Sequence, residues 1–142
     1  MTRGSAVIQG LTRLITTVFH GRNIQQKGGC RMQQANIFAK KEFKDESVNK
    51  VSHIKTDQLA EDTYYFKPGQ VLDYHRHPSG DQLFFVQEGE GTYYVDDGKE
   101  ETTVLKPGVI VLAPKNVWHK VVAKTTLILS QATTQPAGME KR

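Results

Sequence analysis

From Val51 onward, apolar and polar residues alternate in short runs broken by turn-forming residues. The runs are Thr63–Phe66, Val71–His77, Gln82–Gln87, Thr92–Val95, Thr102–Leu105, Val109–Leu112, Trp118–Val122 and Thr125–Ser130. Between them lie Lys67-Pro68-Gly69, Pro78-Ser79-Gly80-Asp81, Glu88-Gly89-Glu90-Gly91, Asp96-Asp97-Gly98, Lys106-Pro107-Gly108 and Ala113-Pro114-Lys115-Asn116. Short strands at close spacing, with almost no helical periodicity, predict an all-β sandwich or barrel. Residues 36–46 alone have weak helical character, and the polar stretch after Gln131 reads as a loose end.

Lys67-Pro68-Gly69 and Lys106-Pro107-Gly108 repeat one device. Proline fixes φ and glycine accepts the left-handed position, so each makes a tight turn into a strand that leads to histidine. Two equivalent turns feeding two histidine-bearing strands suit a barrel wound from two similar halves.

Residues i and i+2 of a strand project to one face, so His75 and His77 point the same way, about 7 Å apart along the strand. Imidazoles so placed can converge on one metal ion. Gln82 opens the next strand and can return to the same spot. His119, far along the chain, needs the fold to join them. By the same alternation Asp73 should share the inward face, as a weak candidate for a general base, and Phe84 and Val86 should line the interior with Gln82. Tyr94 and Trp118 are further pocket-lining candidates, as aromatic rings able to stack on a ligand. His53 stands apart and reads as a packing or surface histidine.

The spacing carries a resemblance. Gly69, five residues, His75-Arg76-His77, four residues, Gln82, six residues and Gly89 are very similar to the first motif of the cupin superfamily. Gly108, five residues, Pro114-Lys115-Asn116, two residues and His119 resemble the second. The similarity spans roughly residues 50–130. It implies a double-stranded β-helix, or jelly-roll barrel, over residues 32–142. It also implies one divalent transition metal (zinc, iron, nickel, manganese or copper) held by His75, His77, Gln82 and His119.

Three positions depart from the family pattern. Asn116 and Ala123 stand where glycine and asparagine are usual; Asn116 can still adopt a left-handed turn. Gln82 replaces the usual glutamate. A set of neutral imidazoles and an amide leaves the charge of a divalent ion uncompensated, which strengthens a Lewis-acid role and gives little support to a highly oxidised iron. Alternatively, Gln82 only supports the ligands by hydrogen bonding.

Net charge is +4 over 142 residues, but its distribution excludes a nucleic-acid footprint. Arg3, Arg13, Arg22, Lys27 and Arg31 lie in residues 1–31, which hold no acid; the rest has 14 bases against 15 acids. The basic, hydroxyl-rich stretch reads as an organelle transit peptide, as a secretory signal interrupted by Thr12, Arg13, Thr16 and Thr17, or as translated leader before a true start at Met32. The last reading rests on Lys27-Gly28-Gly29, which codons of a purine-rich ribosome-binding signal can encode. No apolar run is long enough to cross a bilayer. The one cysteine, Cys30, fits a reducing, cytoplasmic setting.

The expected function is a metal-dependent enzyme on a small organic molecule. Three-histidine cupins include dioxygenases, and the glutamine variant looks similar to zinc cupins that cyclise polyketides. A non-catalytic binding or sensing module is the alternative. A sugar-phosphate isomerase-like cupin ranks last, because Arg76 has outward parity. The expected partners are a small-molecule ligand and a second copy of the chain, paired through an open strand edge with Leu83 and Phe85 supplying apolar contact; neither nucleic acid nor membrane is expected.

Overall fold

The computed structural model describes residues 32–142; the basic leader read from the sequence lies outside the described residues. Ten strands are present: β1 Asn49–Lys55, β2 Leu59–Phe66, β3 Val71–Arg76, β4 Gln82–Glu88, β5 Gly91–Asp96, β6 Glu100–Leu105, β7 Ile110–Ala113, β8 Trp118–Ala123, β9 Leu127–Thr134 and β10 Glu140–Lys141. They form two five-stranded antiparallel sheets, ordered β1-β2-β9-β4-β7 and β10-β3-β8-β5-β6. The crossovers between sheets make the double-stranded β-helix expected from the sequence. No helix occurs among the described residues, so the weak helical reading of residues 36–46 is corrected: turns and bends take its place. Equally, no helix there is long and apolar enough to cross a membrane.

Both Lys-Pro-Gly turns form as predicted. Gln70 N–H donates to the Lys67 carbonyl at 3.1 Å and Val109 N–H to the Lys106 carbonyl at 3.0 Å. Gly69 and Gly108 sit at φ +81° and +88°, the left-handed position such turns demand. Asn116 likewise adopts φ 65°.

Alternation sorts the side chains. Tyr64 and Phe66 of β2, Phe84 and Val86 of β4, Tyr93 of β5, Val121 of β8 and Leu127 and Leu129 of β9 fill the space between the sheets. Strand β2 is buried on both faces because the segment before β1 covers its outer side. There Phe43 meets Tyr65 edge-on at 5.7 Å, and Tyr65 Oη donates to the Ile37 carbonyl. Burying a large aromatic or aliphatic side chain contributes about 1.5–3 kcal/mol, so this apolar set anchors the sandwich.

The apolar filling stops short of one end. There the inward positions are Asp62 on β2, His75 on β3, Gln82 on β4, His119 on β8 and Gln131 and Thr133 on β9, all buried. A cluster of buried polar side chains is costly unless each finds a partner. The polar stretch after Gln131 is not the loose end expected. Strand β9 runs on to Thr134, and the chain then folds back so that β10 pairs with β3, Glu140 opposite Arg76 and Lys141 opposite His75.

Candidate metal centre

Strands β3 and β8 pair with His75 opposite His119, and the two rings stand 4.2 Å apart, centroid to centroid. The His77 ring lies 5.4 Å from His75 and 5.7 Å from His119. One ring nitrogen from each of the three falls within 4.8 Å of the others, so together they can hold a metal ion. The fold thus brings His119, from a distant part of the chain, to the neighbouring pair His75 and His77.

Each ring is held the same way. His75 Nδ1–H donates to the Asp73 carbonyl at 2.9 Å, His119 Nδ1–H to the Val117 carbonyl at 3.1 Å, and His77 Nδ1–H to the Gly138 carbonyl at 2.6 Å. A carbonyl only accepts, so each Nδ1 must carry the proton and each Nε2 presents a lone pair. This is the backbone anchoring that metal-binding histidines need to fix tautomer and ring direction.

Two observations test whether the site fits a cation. His77 Nε2 is buried with no hydrogen-bond partner. His119 Nε2 lies 3.0 Å from Gln82 Oε1. With Nδ1 protonated, that contact sets acceptor against acceptor, which a cation held between them relieves. The residues therefore fit a divalent ion held by His75, His77 and His119, with the Gln82 oxygen beside it.

Burial sets the protonation. His119 is 1% exposed, and desolvation, with the neighbouring His75, pushes its pKa down to about 3 despite the supporting Val117 bond. Burial lowers His75 as well, against the pull of the Asp73 carbonyl. Neutral rings are the ligating form.

Three sequence-based assignments are corrected. Asp73 does not share the inward face: it is exposed, and its carboxylate accepts from the Tyr74 N–H. A β-bulge between Leu72 and His75 breaks the alternation that put residues 73 and 75 together. The contribution of Asp73 to the site is its main-chain carbonyl. Tyr94 and Trp118 do not line the interior either. Tyr94 lies under the Lys120 ammonium at 4.2 Å on the outer face, and Trp118 stacks beneath the Arg76 guanidinium at 4.5 Å. The inward aromatic of β5 is Tyr93, 6.3 Å from the His119 ring, and Phe84 lies 6.0 Å from the same ring. Phe84 and Val86 face inward as expected, as core.

Asp62, Gln131 and the Gly138 carbonyl were missed from the sequence. Gln131 continues the inward series Leu127, Leu129 along β9, and Asp62 continues Tyr64 and Phe66 along β2. Polar residues at such positions were the available signal. The Gly138 carbonyl had none.

A cavity of about 250 Å³ opens beside the site, lined among others by Lys50, Lys55, Asp62, His77, Gln131 and Thr133. Thr133 Oγ1 is also buried without a partner.

The family model for the cupin domain matches residues 63–130, the stretch that holds all three histidines and Gln82. The chain carries a cupin domain. An rmlc-like cupin protein from Desulfovibrio desulfuricans is 25% identical, with a TM-score of 0.67, over 73% of this chain and 97% of its own. A double-stranded β-helix protein from Klebsiella pneumoniae superposes with a TM-score of 0.70 at 20% identity, over 78% of this chain and 96% of its own. An uncharacterized protein of Bacillus subtilis, YdbB, is 44% identical over 48 residues; the match spans 34% of this chain and 41% of that protein's length.

Proposed function

We propose that this cupin is a metal-dependent enzyme whose substrate is a small organic molecule bearing oxygen donors. The observation that carries the reading is the shared anchoring of His75, His77 and His119, which turns three Nε2 lone pairs into one buried end of the barrel. His75, His77 and His119 would hold a divalent ion, which would supply Lewis acidity for a substrate oxygen. The chain's own residues do the rest. The imidazoles and the Gln82 amide add no negative charge, so they would leave the charge of a bound ion uncompensated. Thr133 Oγ1 offers an unused hydrogen bond, and Lys55 at the cavity favours an anionic group on the incoming molecule, the Lys50 charge being taken up by Asp62. Tyr93 and Phe84 exclude water from the inner side of the site.

This donor set supports Lewis-acid chemistry, such as cyclisation or isomerisation, ahead of dioxygenase-like chemistry. The deciding experiment is elemental analysis of the protein as purified, followed by assay of the loaded form against dicarbonyl, thiol and flavonol compounds with oxygen uptake recorded. Turnover without oxygen uptake supports the reading. Oxygen uptake by the iron form moves it to dioxygenase chemistry. Tight reversible binding of one compound with no turnover of any moves it to a binding or sensing module.

The same reading pairs the chain with a second copy. Strand β7 ends its sheet, and Leu83, Ile110 and Leu112 expose apolar side chains around that edge. An open edge beside an apolar face favours pairing.

A further inference from the structure

Gln82, Gln131 and Asp62 form a buried chain of hydrogen bonds behind the metal centre, on three neighbouring strands of one sheet. Asp62 and Gln131 are direct partners across β2 and β9, and Gln131 Nε2–H donates to Asp62 Oδ2 at 2.6 Å. Gln82 Nε2–H donates to Gln131 Oε1. Gln82 Oε1 then faces His119 Nε2. The order of these groups is not free. An ionised carboxylate only accepts, so Gln131 must turn its NH₂ to Asp62. Its oxygen must then face Gln82, which must answer with its own NH₂. The Gln82 carbonyl oxygen is left pointing at the metal site. Asp62 is kept ionised despite burial: Ser52 Oγ–H and Gln131 donate to it, and the Lys50 ammonium sits 3.0 Å away.

We propose that Asp62 and Gln131 are positioning residues that fix the Gln82 amide with its oxygen toward the metal, and that they are why glutamine rather than glutamate works at position 82. This rests on the metal-centre reading above for its purpose, but not for its geometry. A glutamate at 82 would set a carboxylate oxygen against Gln131 Oε1. Gln131 could not turn to help it without setting that oxygen against Asp62. An asparagine at 62 removes the conflict: its NH₂ can serve Gln131 Oε1, freeing Gln131 Nε2–H to donate to the carboxylate at 82.

The test is a double-mutant cycle of Gln82→Glu, Asp62→Asn and the pair, each isosteric so that packing is kept, read in two ways. In the metal-free protein under chelator, Gln82→Glu should lower the melting temperature, and adding Asp62→Asn should recover most of the loss. With cobalt(II) as probe, Gln82→Glu in the natural background should fail to tighten binding, whereas the pair should bind about tenfold or more tightly than Gln82→Glu alone. Strictly additive melting temperatures in the metal-free cycle overturn the relay, whatever the cobalt result. Coupled melting temperatures with no cobalt binding by any form leave the relay standing and overturn the metal-centre reading instead. Where Gln82→Glu does not fold, recovery of a folded protein in the pair supports the relay, and an unfolded pair alongside a folded Asp62→Asn contradicts it.

Discussion

His75 and His119 face each other as direct partners across the β3–β8 ladder, with their rings 4.2 Å apart. Two buried imidazoles this close cannot both carry charge, so the pair is held neutral, the state in which a histidine binds a metal. Replacing His75 or His119 with alanine should therefore abolish stoichiometric metal while the barrel stays folded, since the apolar core lies toward the other end. Metal analysis together with circular dichroism checks this. Full metal retention in both variants refutes the ligand assignment.

The C-terminal return makes a second, local prediction. The Gly138 carbonyl accepts from His77 Nδ1, so removing residues 135–142 frees the ring to rotate. Loss of such a supporting partner typically costs about 10- to 100-fold in metal affinity. Chelator competition on the truncated protein should show a loss in that range, with His75 and His119 still anchored. Unchanged affinity would mean the tail merely lies alongside the site.

Acid should destabilise the metal-free protein before its carboxylates protonate. His119 titrates near pH 3 in the folded protein, against about 6.5 for an ordinary imidazole. Below pH 6.5 the unfolded chain takes up a proton that the folded chain refuses, so stability rises with pH across that window. The contribution is complete above about pH 6.5 and is lost progressively as pH falls toward 3; His75 shifts in the same sense. Urea midpoints under chelator should drop between pH 7 and 5, and His119→Asn should flatten the slope. A flat profile in the natural protein would contradict the buried neutral pair.

The apolar edge predicts an assembly. Ile110 is 58% exposed and Leu112 50%, beside Leu83 on the adjoining strand. Light scattering with size-exclusion chromatography should find a dimer at micromolar concentration, and the double variant Leu83→Glu, Ile110→Glu should be monomeric. A monomeric natural protein, or a double variant that remains dimeric, would place the contact elsewhere or nowhere.

How far the sequence foresaw this site depended on what kind of information each residue needed. That His75, His77, Gln82 and His119 would meet was legible because motif spacing and strand alternation both survive translation into structure. Tyr94 and Trp118 failed for lack of consistent parity: Trp118 adjoins inward His119 and must face out, and Thr92 and Asp96 mark the parity of Tyr94 as the solvent side. Asp73 failed for a different reason, because a bulge leaves no mark in the residue pattern. Gln131 and Asp62 were readable in principle as polar members of apolar inward series, but their partnership depends on a β2–β9 register that only the fold supplies. The anchoring carbonyls of Asp73, Val117 and Gly138 are main-chain groups, and no side-chain identity announces them.

X-ray absorption at the zinc edge, on protein loaded with one equivalent of zinc, tests the metal centre most directly. Tight uptake of one ion per chain is expected, with three imidazole nitrogens at about 2.0–2.1 Å and the remaining ligands oxygen. Fewer than two imidazoles in the shell, or failure to retain one equivalent through buffer exchange, would contradict it.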